Sequence, residues 1–209
     1  MEQNNIKPEV IGGAIGVIFM ALFGMLWTFT GTMGLAGWGA PFVFICGLII
    51  GLMVFVGGIL LLIKSKGLPN HNAEENLLHG KRLGRSFNRV FIVQGLAIGG
   101  SIAILNITNR QDLIPPVIAV IVGLHFFPLA VLFKVRVYHL TGSLFCLLAV
   151  VAVFTMPVQY IVGDYTMNVQ MAAVGIGAAL ILWATSLAIL FSTKNLMGNL
   201  NIDVQREVK

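Results

Sequence analysis

His125 is the residue most able to do chemistry in this chain, because it alone among the His, Lys, Arg, Asp and Glu residues falls well inside an apolar run. An ionisable side chain at membrane depth is expensive, so it faces the bundle interior or water and takes a polar partner. The local sequence is GlyLeuHisPhePhePro, and Pro128 removes a backbone donor and frees a carbonyl near the histidine's own turn. Helix rise places His125, nine residues before Lys134, about 13 Å from the end of its run.

Neighbouring runs bring other polar groups to a similar depth. Gln94 lies in the third run, Ser143 and Cys146 in the fifth, and Trp183, Thr185 and Ser186 in the last third of the sixth. The expected site is therefore one polar cluster of His125, Gln94, Trp183, Thr185 and Ser186. Two readings of it stand: a neutral His–Gln hydrogen bond that ties helices together, worth about 0.6 kcal/mol, or a polar pocket that receives a ligand or a proton.

The same inventory argues against other chemistries. A carboxylate-driven proton or sodium carrier places Asp or Glu inside a span, whereas Glu9, Asp112 and Asp164 fall at edges or in connections. A metalloenzyme needs three or four converging ligands, and one buried His with Cys46 and Cys146 does not supply them. Neither HisGluXaaXaaHis nor GlyXaaSerXaaGly occurs. No catalytic residue and no cofactor are expected.

A weak metal candidate lies elsewhere. His71, Glu75 and His79 are spaced i, i+4, i+8, so a helix over Asn72 to His79, bracketed by Gly67–Pro69 and Gly80, would place all three on one face. The competing reading is a solvated interfacial helix. Lys81, Arg82, Arg85 and Arg89, interleaved with Leu83, Phe87 and Phe91, read as a basic amphipathic lead-in resting on anionic headgroups.

The elements that must position these groups follow from hydropathy. Apolar residues make up 57% of the 209 and charged ones 10%, against about a quarter charged in a soluble domain. Six runs, about Glu9–Phe29, Pro41–Ile63, Val90–Ile107, Leu113–Phe133, Tyr138–Met156 and Val169–Phe191, are each long enough to cross a hydrocarbon core of about 30 Å. The sequence thus predicts an all-α polytopic bundle of six transmembrane helices in one membrane domain spanning 1–209, with a polar loop at 64–89.

Charge orients it. Lys7, the six Lys and Arg residues between Lys64 and Arg89, Lys134, Arg136, Lys194, Arg206 and Lys209 share one side, and only Arg110 lies on the other. By the positive-inside rule both termini are expected in the cytoplasm. Trp27, Trp38, Tyr160 and Tyr165 then fall at the outer ends, where an aromatic belt would place them. The net charge of +5 is explained by these flanks and does not call for nucleic acid.

Small residues four apart recur in every span: Gly12 and Gly16, Gly47 and Gly51, Gly95 and Gly99, Ala119 and Gly123, Gly142 and Cys146, Ala173 and Gly177. This spacing lets helix backbones approach closely. The LeuAlaValLeuPhe ending the fourth span and the LeuAlaIleLeuPhe ending the sixth also fit three helical hairpins related by a parallel repeat.

Residues Ile114 to Ala130, IleProProValIleAlaValIleValGlyLeuHisPhePheProLeuAla, resemble a stretch of a group of small six-span bacterial inner-membrane proteins with no assigned activity. The resemblance covers mainly spans 3 to 5. It implies a six-helix fold in the inner membrane and lends no site role. The function expected from the residues is binding or passage of a small, mostly apolar ligand through an intramembrane pocket near His125. The alternative is a non-catalytic accessory or regulatory subunit acting through helix association. Membrane lipids, a second copy or another membrane protein are the expected partners.

Overall fold

The computed structural model describes the backbone of residues 6–67 and 73–207 and the side chains of residues 7–8, 10–67 and 80–195. Six long helices make up nearly all of it: α1 (Ile6–Gly34), α2 (Ala40–Ser65), α3 (Ala73–Ile107), α4 (Ile114–Phe133), α5 (Val137–Thr155) and α6 (Val169–Glu207). Each is long and apolar enough to cross a membrane. The fold is an all-α bundle of six candidate transmembrane helices.

Local chemistry sets the helix ends. Gly39, at φ 63°, turns the chain into α2, with Pro41 in the first turn, where a missing N–H costs nothing. Pro115 and Pro116 open α4 in the same way. Lys134 closes α4 in the left-handed region, its N–H donating to the Ala130 carbonyl. Asn168 starts α6, its side-chain oxygen accepting from the Met171 N–H at 2.9 Å.

Two connections differ from the sequence expectation. Residues 64–89 are not mainly loop, because α3 begins at Ala73 and runs through Gly80 and Gly84. Its first turns, AlaGluGluAsnLeuLeuHis, are rich in good helix formers, and an isolated glycine costs a helix only about 1 kcal/mol. The segment between α5 and α6 is likewise not featureless. It forms an antiparallel hairpin, β1 (Gln159–Val162) and β2 (Tyr165–Asn168), around Gly163 at φ 58°. Glycine at the first central position of a two-residue hairpin turn is the type II′ signature.

The helices form an open arc in the lateral order α3, α4, α5, α6, α1, α2. The broadest interfaces are α1 on α6, α1 on α2 and α4 on α5. Two of these three join neighbouring hairpins of the suggested repeat instead of lying within one. At the centre of the arc, α6 has half of its most apolar window buried, whereas the corresponding window of α3 has none. Val17, Ala21, Phe145, Ala178, Leu182 and Trp183 form the core where α1, α5 and α6 meet.

Small residues hold that core together at close range. A Cβ placed on Gly175 would overlap the Gly31 main chain, and one on Gly34 would overlap that of Ala172. Gly123 and Gly142 bring α4 and α5 together in the same way, each lying within 3 Å of the other's carbonyl if given a Cβ. Gly47 and Gly51 seat α2 against Thr28 and Met25. The expected packing role fails at Gly95 and Gly99, where an added Cβ would meet nothing within 4 Å. Gly95 and Gly99 share the face of α3 turned away from the bundle.

Candidate functional site

The open side of the arc lies between α1 and α3. These helices make no extended backbone contact, and they are bridged by the rings of Phe19, midway along α1, and Phe87, 6.2 Å apart and edge to face. Phe87 also stacks on Phe91 and meets Phe133 edge to face at 6.1 Å. Behind these rings lies a cavity of about 110 Å³ walled by α1, α3, α4, α5 and α6. His125 and Gln94 both line it, together with Tyr138.

A second space, about 400 Å³, continues toward the hairpin end, lined by Leu26, Ile98, Ile114, Ile118 and Met171 and reaching Thr30 and Gln111 at its mouth. Phe23, Trp27, Gln94 and Val122 line both spaces. The two therefore form one groove. From Ile15 to Thr30 on α1 it runs about 22 Å along the helix axis. Neither space is lined by Lys, Arg, Asp or Glu among the described residues.

Helical periodicity explains why Gln94 faces inward on a helix whose glycines do not. Leu83, Phe87, Val90, Gln94, Ile98, Ser101 and Leu105, with Ser86 and Ile102 beside them, are the half-buried residues among those of α3 whose side chains are described, and the seven are spaced three or four apart as one narrow stripe. Gln94 is in the middle of it. On α4, His125 is half-buried, with its ring edge to face against Phe126 at 6.0 Å.

The polar cluster read from the sequence divides into separate arrangements. His125 and Gln94 share the cavity, but His125 Nδ1 and Gln94 Oε1 are both buried and lack a hydrogen-bond partner among the described residues. The expected polar neighbour of His125 in α6 is not there. Thr185 bonds Thr141 across the α5–α6 interface at 2.8 Å and also its own Ile181 carbonyl. Ser186 donates to the Leu182 carbonyl. Hydroxyls in membrane helices find backbone acceptors one turn back, so neither needed the histidine.

Trp183 is buried against Gly24, its Nε1 likewise unpartnered, and it does not line the groove. Its neighbour Leu182 does. Cys146 contacts the α4 face at Gly123, and Ser143 is exposed. Of the metal candidate, His71 lies outside the described residues, and for Glu75 and His79 only the helical backbone is described. Among the described residues no group of His, Cys, Asp or Glu is arranged to hold a metal ion.

Two site residues were not legible as such. Trp27, expected in an outer aromatic belt, is 7% exposed and walls both spaces of the groove, whereas Trp38, Tyr160 and Tyr165 are exposed at that end. Trp27 lies seven residues before the end of α1, about 10 Å inside. Tyr138 opens α5 in a basic flank, yet it is buried, with its ring tilted against Phe126 at 5.6 Å. Gly16 admits its hydroxyl, which would lie 2.6 Å from a Cβ at that position. That glycine was the signal. The chain matches no family model, and neither a curated protein nor a solved structure is significantly similar to it.

Proposed function

We propose that this small integral membrane protein binds, or passes, a small and mostly apolar ligand in the groove between α1, α3 and α4. The observation that carries the reading is that His125 Nδ1 and Gln94 Oε1 are buried and unpartnered beside an apolar cavity. A buried polar atom left without a partner costs about 1–3 kcal/mol, and a ligand that supplies the partner recovers it. Ligand sites are typically apolar concavities with a few convergent polar groups, of about 300–1,000 Å³, and the wider space reaches that range. The reading is non-catalytic and uses no cofactor.

The test is direct. Val122 lines both spaces, so Val122→Trp should fill the groove while leaving both polar residues in place. Purified wild-type protein, extracted and analysed by mass spectrometry, should carry a small molecule that Val122→Trp loses while keeping its thermal unfolding midpoint. Identical extracts from two equally stable proteins would defeat the proposal. His125→Phe separates site from scaffold: ligand loss at unchanged stability marks a site residue, and loss of stability alone marks a tie between helices.

A second reading, an accessory subunit acting through helix association, draws on α3. That helix packs mainly on α4 and turns Gly95, Gly99, Leu96 and Ile104 outward. In either reading the protein sits in a cell membrane, in bacteria the inner one, with both termini cytoplasmic, as the Lys and Arg distribution supports. A cysteine introduced at Gly37 should react with an impermeant reagent in intact cells, and one at Gly67 should not. The reverse labelling would invert the orientation.

A further inference from the structure

We propose that the ligand of the groove is a phenol or hydroquinone ring carrying an apolar tail, with the ring in the narrow space beside His125 and Gln94 and the tail in the wider one. This inference rests on the groove being a ligand site and names the class of molecule it takes.

Charge comes first. No Lys, Arg, Asp or Glu lines either space among the described residues. A phosphate or carboxylate head would be buried there without a counter-charge, which is far costlier than burying a hydroxyl. Phospholipids and fatty-acid anions are therefore disfavoured.

Size and walls come next. The narrow space, about 110 Å³, is of the same order as the roughly 150 Å³ apolar cavity that accepts one benzene. Phe19, Phe23, Phe87, Phe91, Phe126 and Tyr138 supply much of its wall. Aromatic pairs gain about 0.5–1.5 kcal/mol beyond the area they bury, so such a wall selects a flat ring over an aliphatic head of equal volume.

Hydrogen bonding fixes the substituent. The Gln94 carbonyl only accepts, so its partner must donate; the neutral His125 ring has one donor and one acceptor nitrogen, either of which a hydroxyl can satisfy. One ring hydroxyl can donate to Gln94 Oε1 and accept from a His125 N–H. A ketone can accept from the Gln94 amide N–H or a His125 N–H but leaves the buried Gln94 Oε1 without a donor. Both polar atoms are shielded in this structure, and the broad two-fold terminal torsions of Gln and His allow either group to turn toward the cavity.

The tail follows from continuity. Phe23, Trp27, Gln94 and Val122 border both spaces, so a molecule whose ring lies by His125 extends into the wider space without crossing a wall. The α1–α3 side is spanned by single rings, Phe19 on Phe87. A tail longer than the groove leaves there into the bilayer, and the same opening admits the ligand from the membrane.

Trp27 borders both spaces, so its fluorescence reports occupancy. The wild-type protein and the Gln94→Leu, His125→Phe and Trp27→Phe variants, in lipid nanodiscs, are titrated with three probes: a prenylated hydroquinone, its quinone and a straight-chain alcohol of equal length. The hydroquinone should change the emission saturably, should bind about tenfold more tightly than the alcohol, and should lose about tenfold on Gln94→Leu, one hydrogen bond in each case. The response should vanish in Trp27→Phe. Equal affinities for the hydroquinone and the alcohol, or for the hydroquinone and the quinone, overturn the ligand class while the groove remains a binding site. A Gln94→Leu variant that keeps full hydroquinone affinity overturns it equally. No saturable response to any probe, with no small molecule lost from Val122→Trp on extraction, overturns both the class and the groove as a ligand site.

Discussion

Helices α6 and α3 carry the same pattern of small residues and put it to opposite use. Gly175 and Gly177 of α6 meet the Gly31 backbone and the Leu148 side chain, whereas Gly95, Gly99 and Gly100 of α3 meet nothing within 4 Å. The difference lies in what shares the glycine face. Ala172, Ala178, Ala179 and Leu182 sit with Gly175 in the core, so small and large residues interlock with α1. On α3 the inward stripe is Phe87, Val90, Gln94 and Ile98, and the glycines are on its back. Without a hydrophobic effect between membrane helices, close approach needs a complementary partner face, and a glycine pair alone does not identify one.

The largest expected effect comes from breaking the α1–α6 contact. Gly175→Leu would drive a side chain into the Gly31 backbone, which cannot repack as a side chain can. The cost should exceed the roughly 1–3 kcal/mol typical of an overfilled core, and the expected outcome is loss of the folded protein from detergent extracts. Normal yield with an unchanged melting temperature would contradict the packing at the centre of the arc.

Next in size is Gly142→Leu, at the α4–α5 crossing, where a Cβ would stand 2.6 Å from the Gly123 carbonyl and 3.2 Å from Phe126 Cβ. Destabilisation of about 1–3 kcal/mol is expected. Phe126 packs on both Tyr138 and His125, so the groove should be disturbed too. A variant that unfolds earlier yet keeps its ligand would separate the two helices' packing from the site.

How much of this was legible in the chain depends on the kind of signal. Six helices follow from hydropathy, because twenty apolar residues admit few alternatives in a bilayer, and the inward turn of His125 follows from the cost of an ionisable group at that depth, whereas Gln94 is placed by depth alone and its inward stripe on α3 shows only in the structure. Which helices touch was not legible. The α1–α6 interface joins the two ends of the chain, and no local pattern states that Gly31 meets Gly175. Thr185 and Ser186 depart from the expected cluster for a related reason: a hydroxyl can bond its own helix, so similar depth does not imply a shared cluster. The hairpin at Gln159–Asn168 shows in the sequence only as GlyAsp between two short β-prone stretches, a far weaker signal than the hydropathy of the spans beside it.

Gly99→Leu carries the comparison to the other helix. With open space around it, Gly99 pays the helix-propensity cost of glycine, about 1 kcal/mol, without a packing return. Stability should stay level or rise by up to that amount. Destabilisation as large as that of Gly142→Leu would mean that the α3 face is covered in the folded assembly, and it would favour the accessory-subunit reading over the ligand-binding one.

The smallest expected effect is that of Thr185→Val, which asks whether polar bonds or close backbones hold α6 in place. Thr185 Oγ1 lies 2.8 Å from Thr141 Oγ1 and 2.8 Å from the Ile181 carbonyl, so its hydroxyl hydrogen can serve only one of the two at a time. Valine preserves the shape and leaves Thr141 its own bond to the Val137 carbonyl at 3.0 Å. No buried donor is then orphaned. The loss should be near the 0.6 kcal/mol average for such bonds between membrane helices, several-fold below the cost of Gly175→Leu. If thermal unfolding in detergent instead ranked Thr185→Val beside Gly175→Leu, polar bonding would be the main tie on α6, and the contrast with α3 would rest on hydroxyls instead of glycines.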